Sequence, residues 1–294
     1  MDASIVISTY GRGQDVVDCI NSLLNLNKHN FEIIVIESSP NVLTALDLKK
    51  RYKDNLLVRI THSKIPIGLS RARNLGVLLA KNDIVVFIDD DCIACPNWLQ
   101  NLLNVFNTKK TGIVGGRSIP LFLTERVPRW LDDRLTPAIG ISHFSNKRQK
   151  VEYVLGCNFA VRKELFNEMN LFREDLGRRG KLLLSNEEVE FCKRVKEAGY
   201  LVIYTPKAVV RHKVYPTRLD RSYFFKRFFY GGLSEGIMHT FGIRKLFFVA
   251  KELLKNIIYF FRNANMFSLC LIFEKLGLFV SILYIPKSGE SYSV

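Results

Sequence analysis

Ile84-Val85-Val86-Phe87-Ile88-Asp89-Asp90-Asp91 runs five apolar residues directly into three consecutive carboxylates. A short apolar run rich in β-branched residues reads as a strand buried on both faces, hence a central parallel strand, with the acids at its carboxyl end. Ligands of open α/β sheets collect at that edge. Three adjacent carboxylates repel one another, and folding does not ask for them; a hard divalent cation such as Mg²⁺ or Mn²⁺, held partly by substrate phosphates, relieves the repulsion. The stretch therefore implies a metal and diphosphate site, against the plainer alternative of a solvated acidic turn.

Toward the N-terminus, Ser4-Ile5-Val6-Ile7-Ser8 reads as a first buried strand ending in Thr9-Tyr10-Gly11-Arg12-Gly13. Val16, Cys19, Ile20, Leu23 and Leu24 then recur at helical spacing. The loop is polar and glycine-containing but lacks the GxGxxG spacing of a dinucleotide site. A second strand, 32–36, ends in Glu37-Ser38-Ser39-Pro40 and puts a carboxylate at the same edge, where it accepts hydrogen bonds from a ribose or base, or merely caps the loop. A third, 56–60, leads through Gly68 into Ser70-Arg71-Ala72-Arg73-Asn74-Leu75-Gly76, with Ser70 as N-cap. Two arginines in a first helical turn oppose the helix dipole, which a nearby anionic ligand explains, as does a solvated pair. Alternating strands and helices argue a parallel, right-handed, doubly wound α/β sheet.

Toward the C-terminus, Pro96-Asn97-Trp98-Leu99 opens a helix whose Trp98, Leu99, Leu102, Leu103 and Phe106 form one core-facing stripe, and Gly112 to Gly116 reads as a further strand. Residues 120–150 lose periodicity and gain three prolines, the signature of a functional or disordered loop, here a lid or an acceptor contact. Glu187, Glu188 and Glu190 open a helix capped by Ser185 or Asn186, where the dipole welcomes acids. Leu201 to Tyr204 reads as the last sheet strand, followed by Val209-Val210-Arg211-His212, whose histidine is either structural or a ligand.

The formal net charge is +15, and from residue 206 onward 14 Lys and Arg stand against 5 Asp and Glu. Such a basic excess suits nucleic acid or an anionic membrane surface; no nucleic-acid-binding signature accompanies it, so no nucleic-acid partner is expected. In residues 218–232 basic residues interleave with aromatics, and 246–285 is apolar but interrupted by charges, with no 18–20-residue uncharged run. A spanning helix is therefore not expected; amphipathic helices lying in the interface are, or else a helical pair packed on protein. Six scattered cysteines and an opening without a leader pattern point to free thiols in a reducing, cytoplasmic setting.

Together the Ser8-Thr9-Tyr10 opening, Glu37, Gly68 with Arg71 to Asn74, and the Asp89 to Asp91 triplet resemble the inverting, nucleotide-sugar-dependent glycosyltransferases of family 2. The resemblance implies an α/β GT-A fold, Rossmann-like with a mostly parallel sheet and helices on both faces, over residues 1–215. A basic, aromatic, helical C-terminal region of 216–294 follows, associated with the membrane. It further implies transfer from a nucleotide diphosphate sugar, with uridine the expected base, to a glycan or lipid-linked acceptor at the inner face of the plasma membrane. Thr9, Tyr10, Arg12, Glu37, Gly68, Arg71, Asn74, Asp89 and Asp90 would hold the donor. Asp91, Asp89 and His212 would hold Mn²⁺ or Mg²⁺, Asp89 otherwise turning toward the ribose or a water on the cation. Glu188 matches the family's catalytic base, with Glu187 as the competing position. Glu37-Ser38 departs from the family's usual Asp-Asp or Asp-Asn. A nucleotide-sugar-forming nucleotidyltransferase would need a better triphosphate loop than Tyr10 to Gly13. A silent glycan- or membrane-binding scaffold would not retain both acid groups.

Overall fold

Described in this computed structural model are residues 1–27, 30–142, 144–239 and 245–284. The apolar alternation builds the sheet: β1 (Ala3–Thr9), α1 (Gly13–Leu24), β2 (Phe31–Glu37), α2 (Leu43–Arg51), β3 (Val58–His62), α3 (Leu69–Leu79) and β4 (Ile84–Asp89) follow one another. The four strands pair in parallel in the order β3-β2-β1-β4. In β4, Ile84, Val86 and Ile88 enter one core with α1 and Trp98, while Val85 and Phe87 enter a second with Val77 and Phe191. Burial on both faces is what an unbroken apolar strand requires.

Beyond β4 the sheet changes direction. The chain continues as β5 (Cys92–Ala94), α4 (Trp98–Leu103), β6 (Thr111–Phe122), β7 (Gln149–Lys150), β8 (Asn158–Arg162), α5 (Glu164–Met169), α6 (Glu187–Glu197) and β9 (Leu201–Val214). β8 runs antiparallel to β4 and to β6, and β9 antiparallel to β5 and β7. The full path is β3-β2-β1-β4-β8-β6-β9-β5, so the parallel character expected of the sheet holds for its first four strands. β9 joins into one strand the two segments that the sequence separates at Pro206, whose fixed φ is compatible with extended chain. Ser70, expected as an N-cap, is instead buried inside α3; the capping position is Gly68, whose φ of 78° favours glycine.

The chain divides into two compact units, 1–121 with 140–174 and 187–213, and 122–139 with 175–186 and 214–294. The second thus takes up two earlier segments together with the C-terminal residues. Its helices are α7 (Arg221–His239), α8 (Lys245–Asn263) and α9 (Met266–Tyr284); residues 240–244 and 285–294 of the basic region, and so the end of the apolar 246–285 stretch, lie outside the described residues. α7 and α9 touch backbone to backbone, because a Cβ at Gly232 would collide with the Glu274 carbonyl, one at Gly277 with that of Phe229, and one at Gly236 with Ser281. Trp130 packs edge-on against Phe224 within this unit. Met266–Leu283, with a mean hydropathy of 2.0, is long and apolar enough to cross a membrane by length and composition alone. The two charges that argued otherwise, Glu274 and Lys275, are neighbours paired at 3.2 Å.

Candidate active site

The parallel register brings the carboxyl ends together: Ser8 pairs with Asp89, and Thr9 with Glu37. Thr9 donates from Oγ1 to Asp90 at 2.7 Å, and Arg12 reaches Asp90 at 3.2 Å and Asp91 at 2.7 Å. Asp90 and Asp91 are buried, whereas Asp89 keeps part of its side chain in solvent. Burial first, then the charge of Asp91, pushes the Asp90 carboxyl up to about 7 against the pull of Arg12. Burial alone would lower the Arg12 guanidinium, but Asp90 and Asp91 hold it above its ordinary value.

On the neighbouring antiparallel pair, β5 and β9, Cys92 stands opposite His212. His212 Nε2 lies 3.2 Å from Asp91 Oδ1, both side chains buried. One donor atom each from Asp91, Cys92 and His212 falls within 4.8 Å of the others, a grouping able to hold a metal ion. The cysteine in that set was not foreseen. Its pKa is raised by burial and by a hydrogen bond with Cys157.

The most informative side chain is one the sequence quotes without singling out. Arg73 donates to Glu187 Oε1 at 2.6 Å, to Asp89 Oδ1 at 3.1 Å and to the Gly156 carbonyl at 2.7 Å. It is fully buried, and its guanidinium lies 5.6 Å and 5.9 Å from the ring centres of Phe159 and Phe87. Burial opposes its charge, yet Glu187, Asp89 and Glu188 together hold its pKa above the ordinary value. The Gly156 N–H in turn donates to Glu188 Oε1 at 3.1 Å. A Cβ at Gly156 would sit 3.0 Å from Arg73 Nη2 and 3.3 Å from Glu188 Oε1, so the glycine lets both side chains close in. A signal existed: Ser70, Arg73, Asn74 and Val77 share the buried face of α3 at helical spacing, and Arg71 does not.

Several expected ligands are placed otherwise. Arg71 is 59% exposed and 4.0 Å from Glu174, so the acids that the two α3 arginines meet are the protein's own. Asn74 is buried with its amide exchanging two 2.9 Å hydrogen bonds with the Phe172 backbone, a structural commitment rather than an open donor site. Glu37 is wholly buried; its Oε1 accepts from Gly11 N and Ser39 N, and its Oε2 lies 3.2 Å from His62. It therefore ties together the loops after β1 and β2 instead of presenting a surface acceptor. Tyr10, 51% exposed, lies on the loop that Glu37 braces.

The sequence profile described as "Glycosyl transferase family 2" matches residues 4–169, more than half of the chain. The chain belongs to that family. Its relatives include the "Glucosyl-dolichyl phosphate glucuronosyltransferase" of Haloferax volcanii, 25% identical over 245 residues covering 81% of this chain and 77% of that protein. The "Pre-mycofactocin glycosyltransferase" of Mycobacterium tuberculosis is 27% identical over 79% of this chain and 46% of its own length. Among solved structures, the mannosyltransferase PcManGT of Pyrobaculum calidifontis with GDP-Man and Mn²⁺ superimposes with a TM-score of 0.64, 14% identity and coverage of 96% and 87%. GalNAc-T7 with UDP, GalNAc and Mn²⁺ gives 0.61, 17% identity, and coverage of 82% of this chain and 51% of its own. The fold is GT-A and the chain is a glycosyltransferase. Glu187, Glu188 and His212 lie beyond the matched 4–169, so their places rest on the geometry above.

Proposed function

We propose that the chain moves a sugar, with inversion and with the help of a divalent cation, from a nucleotide diphosphate sugar to a hydroxyl of a glycan or lipid-linked acceptor. Uridine is the expected base, and the cytoplasmic face of the plasma membrane the expected location. The observation that carries this reading is Arg73, whose single guanidinium bonds Asp89 in the acid triplet and Glu187, the residue before Glu188. The names of similar proteins add support: one relative is named for a dolichyl phosphate substrate, and two solved structures hold Mn²⁺, with UDP or with GDP-Man.

The donor set suits the cation. Asp91 and His212 converge as a carboxylate oxygen and an imidazole nitrogen, beside Asp90, whose carboxyl burial first and then the charge of Asp91 push up to about 7. Carboxylate oxygen suits Mn²⁺ or Mg²⁺, the imidazole nitrogen is a softer donor that favours Mn²⁺ of the two, and Cys92, its pKa raised, stays beside them as a neutral thiol. Bound there, the cation would offset the charge that grows on the departing diphosphate. Thr9, Tyr10 and Arg12 border the donor, Glu37 and Gly68 shape its loops, and Asp89 turns toward the ribose. Glu188 accepts the proton of the acceptor hydroxyl while that oxygen bonds to the anomeric carbon. The carbon–oxygen bond to the diphosphate breaks and its electron pair leaves with the phosphate. Attack opposite the leaving group inverts the centre.

Calorimetric titration of UDP with and without Mn²⁺, followed by nucleotide release from a panel of activated sugars, tests this. Binding that needs the cation is expected, with Asp91→Ala losing it and lowering turnover by about 10²-fold or more. A parent protein that binds UDP no better with Mn²⁺ than without it, and releases nucleotide from none of the activated sugars, would overturn the reading.

A further inference from the structure

α8 is apolar on two sides. Val249, Leu253, Asn256 and Phe260 recur at helical spacing on its inner face, where Asn256 donates to the Leu271 carbonyl of α9 and Val249 is buried. On the outer face Phe247, Leu254, Ile258 and Phe261 form a second stripe, exposed among the described residues, with Phe247 86% and Phe261 78% in solvent. Singly exposed apolar residues are ordinary, whereas a contiguous stripe of two phenylalanines, a leucine and an isoleucine asks for an apolar partner.

The charges beside that stripe select the partner. Lys251, Lys255 and Arg262 follow one another at spacings of four and seven, so they form a basic row next to the apolar one. The helix carries four basic residues against one acid, and that acid, Glu252, is 2.6 Å from Lys255. A second copy of this face would bring like charge against like, whereas an anionic leaflet accepts both rows at once. We propose that α8 lies in the plane of an anionic lipid surface, with the Phe247, Leu254, Ile258 and Phe261 stripe among the acyl chains and Lys251, Lys255 and Arg262 at the headgroup phosphates. α7 and α9 pack on each other through their glycines, and Phe225 stacks on Phe273 between them at 4.6 Å.

Sedimentation of the full chain with vesicles of phosphatidylcholine alone, or with phosphatidylglycerol added, tests the assignment without reference to the transfer reaction. Binding to the anionic vesicles that weakens with salt is expected. Lys251→Gln with Arg262→Gln should reduce it roughly fivefold per charge removed. Phe247→Ser with Phe261→Ser should reduce it by at least about tenfold, leaving circular dichroism unchanged, since both rings are solvent-facing. Equal binding to neutral and anionic vesicles overturns the proposal, as does no binding by the parent protein. So does a pellet that resists salt and alkaline carbonate, the behaviour of a spanning α9. So, finally, does a dimer that the phenylalanine variants dissociate while vesicle binding persists.

Discussion

Arg73 matters because three of its hydrogen-bond partners come from segments far apart in the chain, and only a planar guanidinium presents donors in the fork that Asp89, Glu187 and Gly156 require. Lysine keeps the charge but not the fork. Arg73→Lys is therefore expected to lower kcat by about 10²-fold while the KM for donor changes little, because misplacing the base helix by an ångström has that scale of effect. Arg73→Met leaves Asp89 and Glu187 without their counter-charge, and breaking a buried pair costs about 3–5 kcal/mol, read as a drop in urea midpoint. A kcat unchanged in Arg73→Lys would show that the arginine stabilises without positioning. Glu37 shows how far a residue's type leads: its place at the strand end is legible in the sequence, but its enclosure by Gly11, Ser39 and His62 is not. Those partners come from the loop after β1, from its own loop, and from the end of β3.

At the scale of the element, close approach sets the geometry. α3 lies on β1 with Gly76 directly over Val6, leaving no room for a Cβ. Gly76→Ala is expected to destabilise by about 1–3 kcal/mol through overpacking, and Val6→Ala in the same chain to recover part of that loss; both are read from denaturant midpoints. Simple additivity of the two losses would contradict the contact. Where the sheet turns antiparallel, Asn158 at the start of β8 accepts from Trp98 Nε1 at 2.8 Å and donates to the carbonyls of Arg117 and Ala208 at 3.0 Å. Asn158→Ala leaves those buried groups unpaired, at about 1–3 kcal/mol for each one. The first four strands were legible because apolar runs with β-branched residues specify burial. Their parallel direction was legible too, from the alternation of strands with helices, whereas the reversal at β8 was not, because Asn158–Arg162 is buried just as a parallel strand is. The continuation of β9 beyond Tyr204 was not legible because Pro206 interrupts the apolar run, and the partners of Arg73 were not because Gly156 and Glu187 lie 83 and 114 residues away, although the helical spacing marks Arg73 itself as inward-facing.

Across the whole molecule, the matched family segment holds the donor-side residues from Thr9 to Asp91, while Glu187, Glu188 and His212 arrive from residues 187–212. All of them fall in the first of the two compact units, and the basic, aromatic helices in the second. Of the 14 basic residues counted from residue 206, 11 belong to the second unit and three, Lys207, Arg211 and Lys213, to the first; with the basic row of α8 in the unit that lacks the site residues, salt should act on surface attachment while sparing turnover on a soluble acceptor. Comparing the two at 50 and 500 mM salt checks this, the lower value lying within roughly 15 Å of Debye screening and the higher within about 5 Å. The account stands or falls on whether the carboxylate next to the Arg73 partner does the proton transfer. Glu188→Gln, assayed for turnover beside a titration of UDP with Mn²⁺, is expected to lose about 10³-fold in kcat with nucleotide affinity unchanged; turnover near that of the parent protein would contradict it.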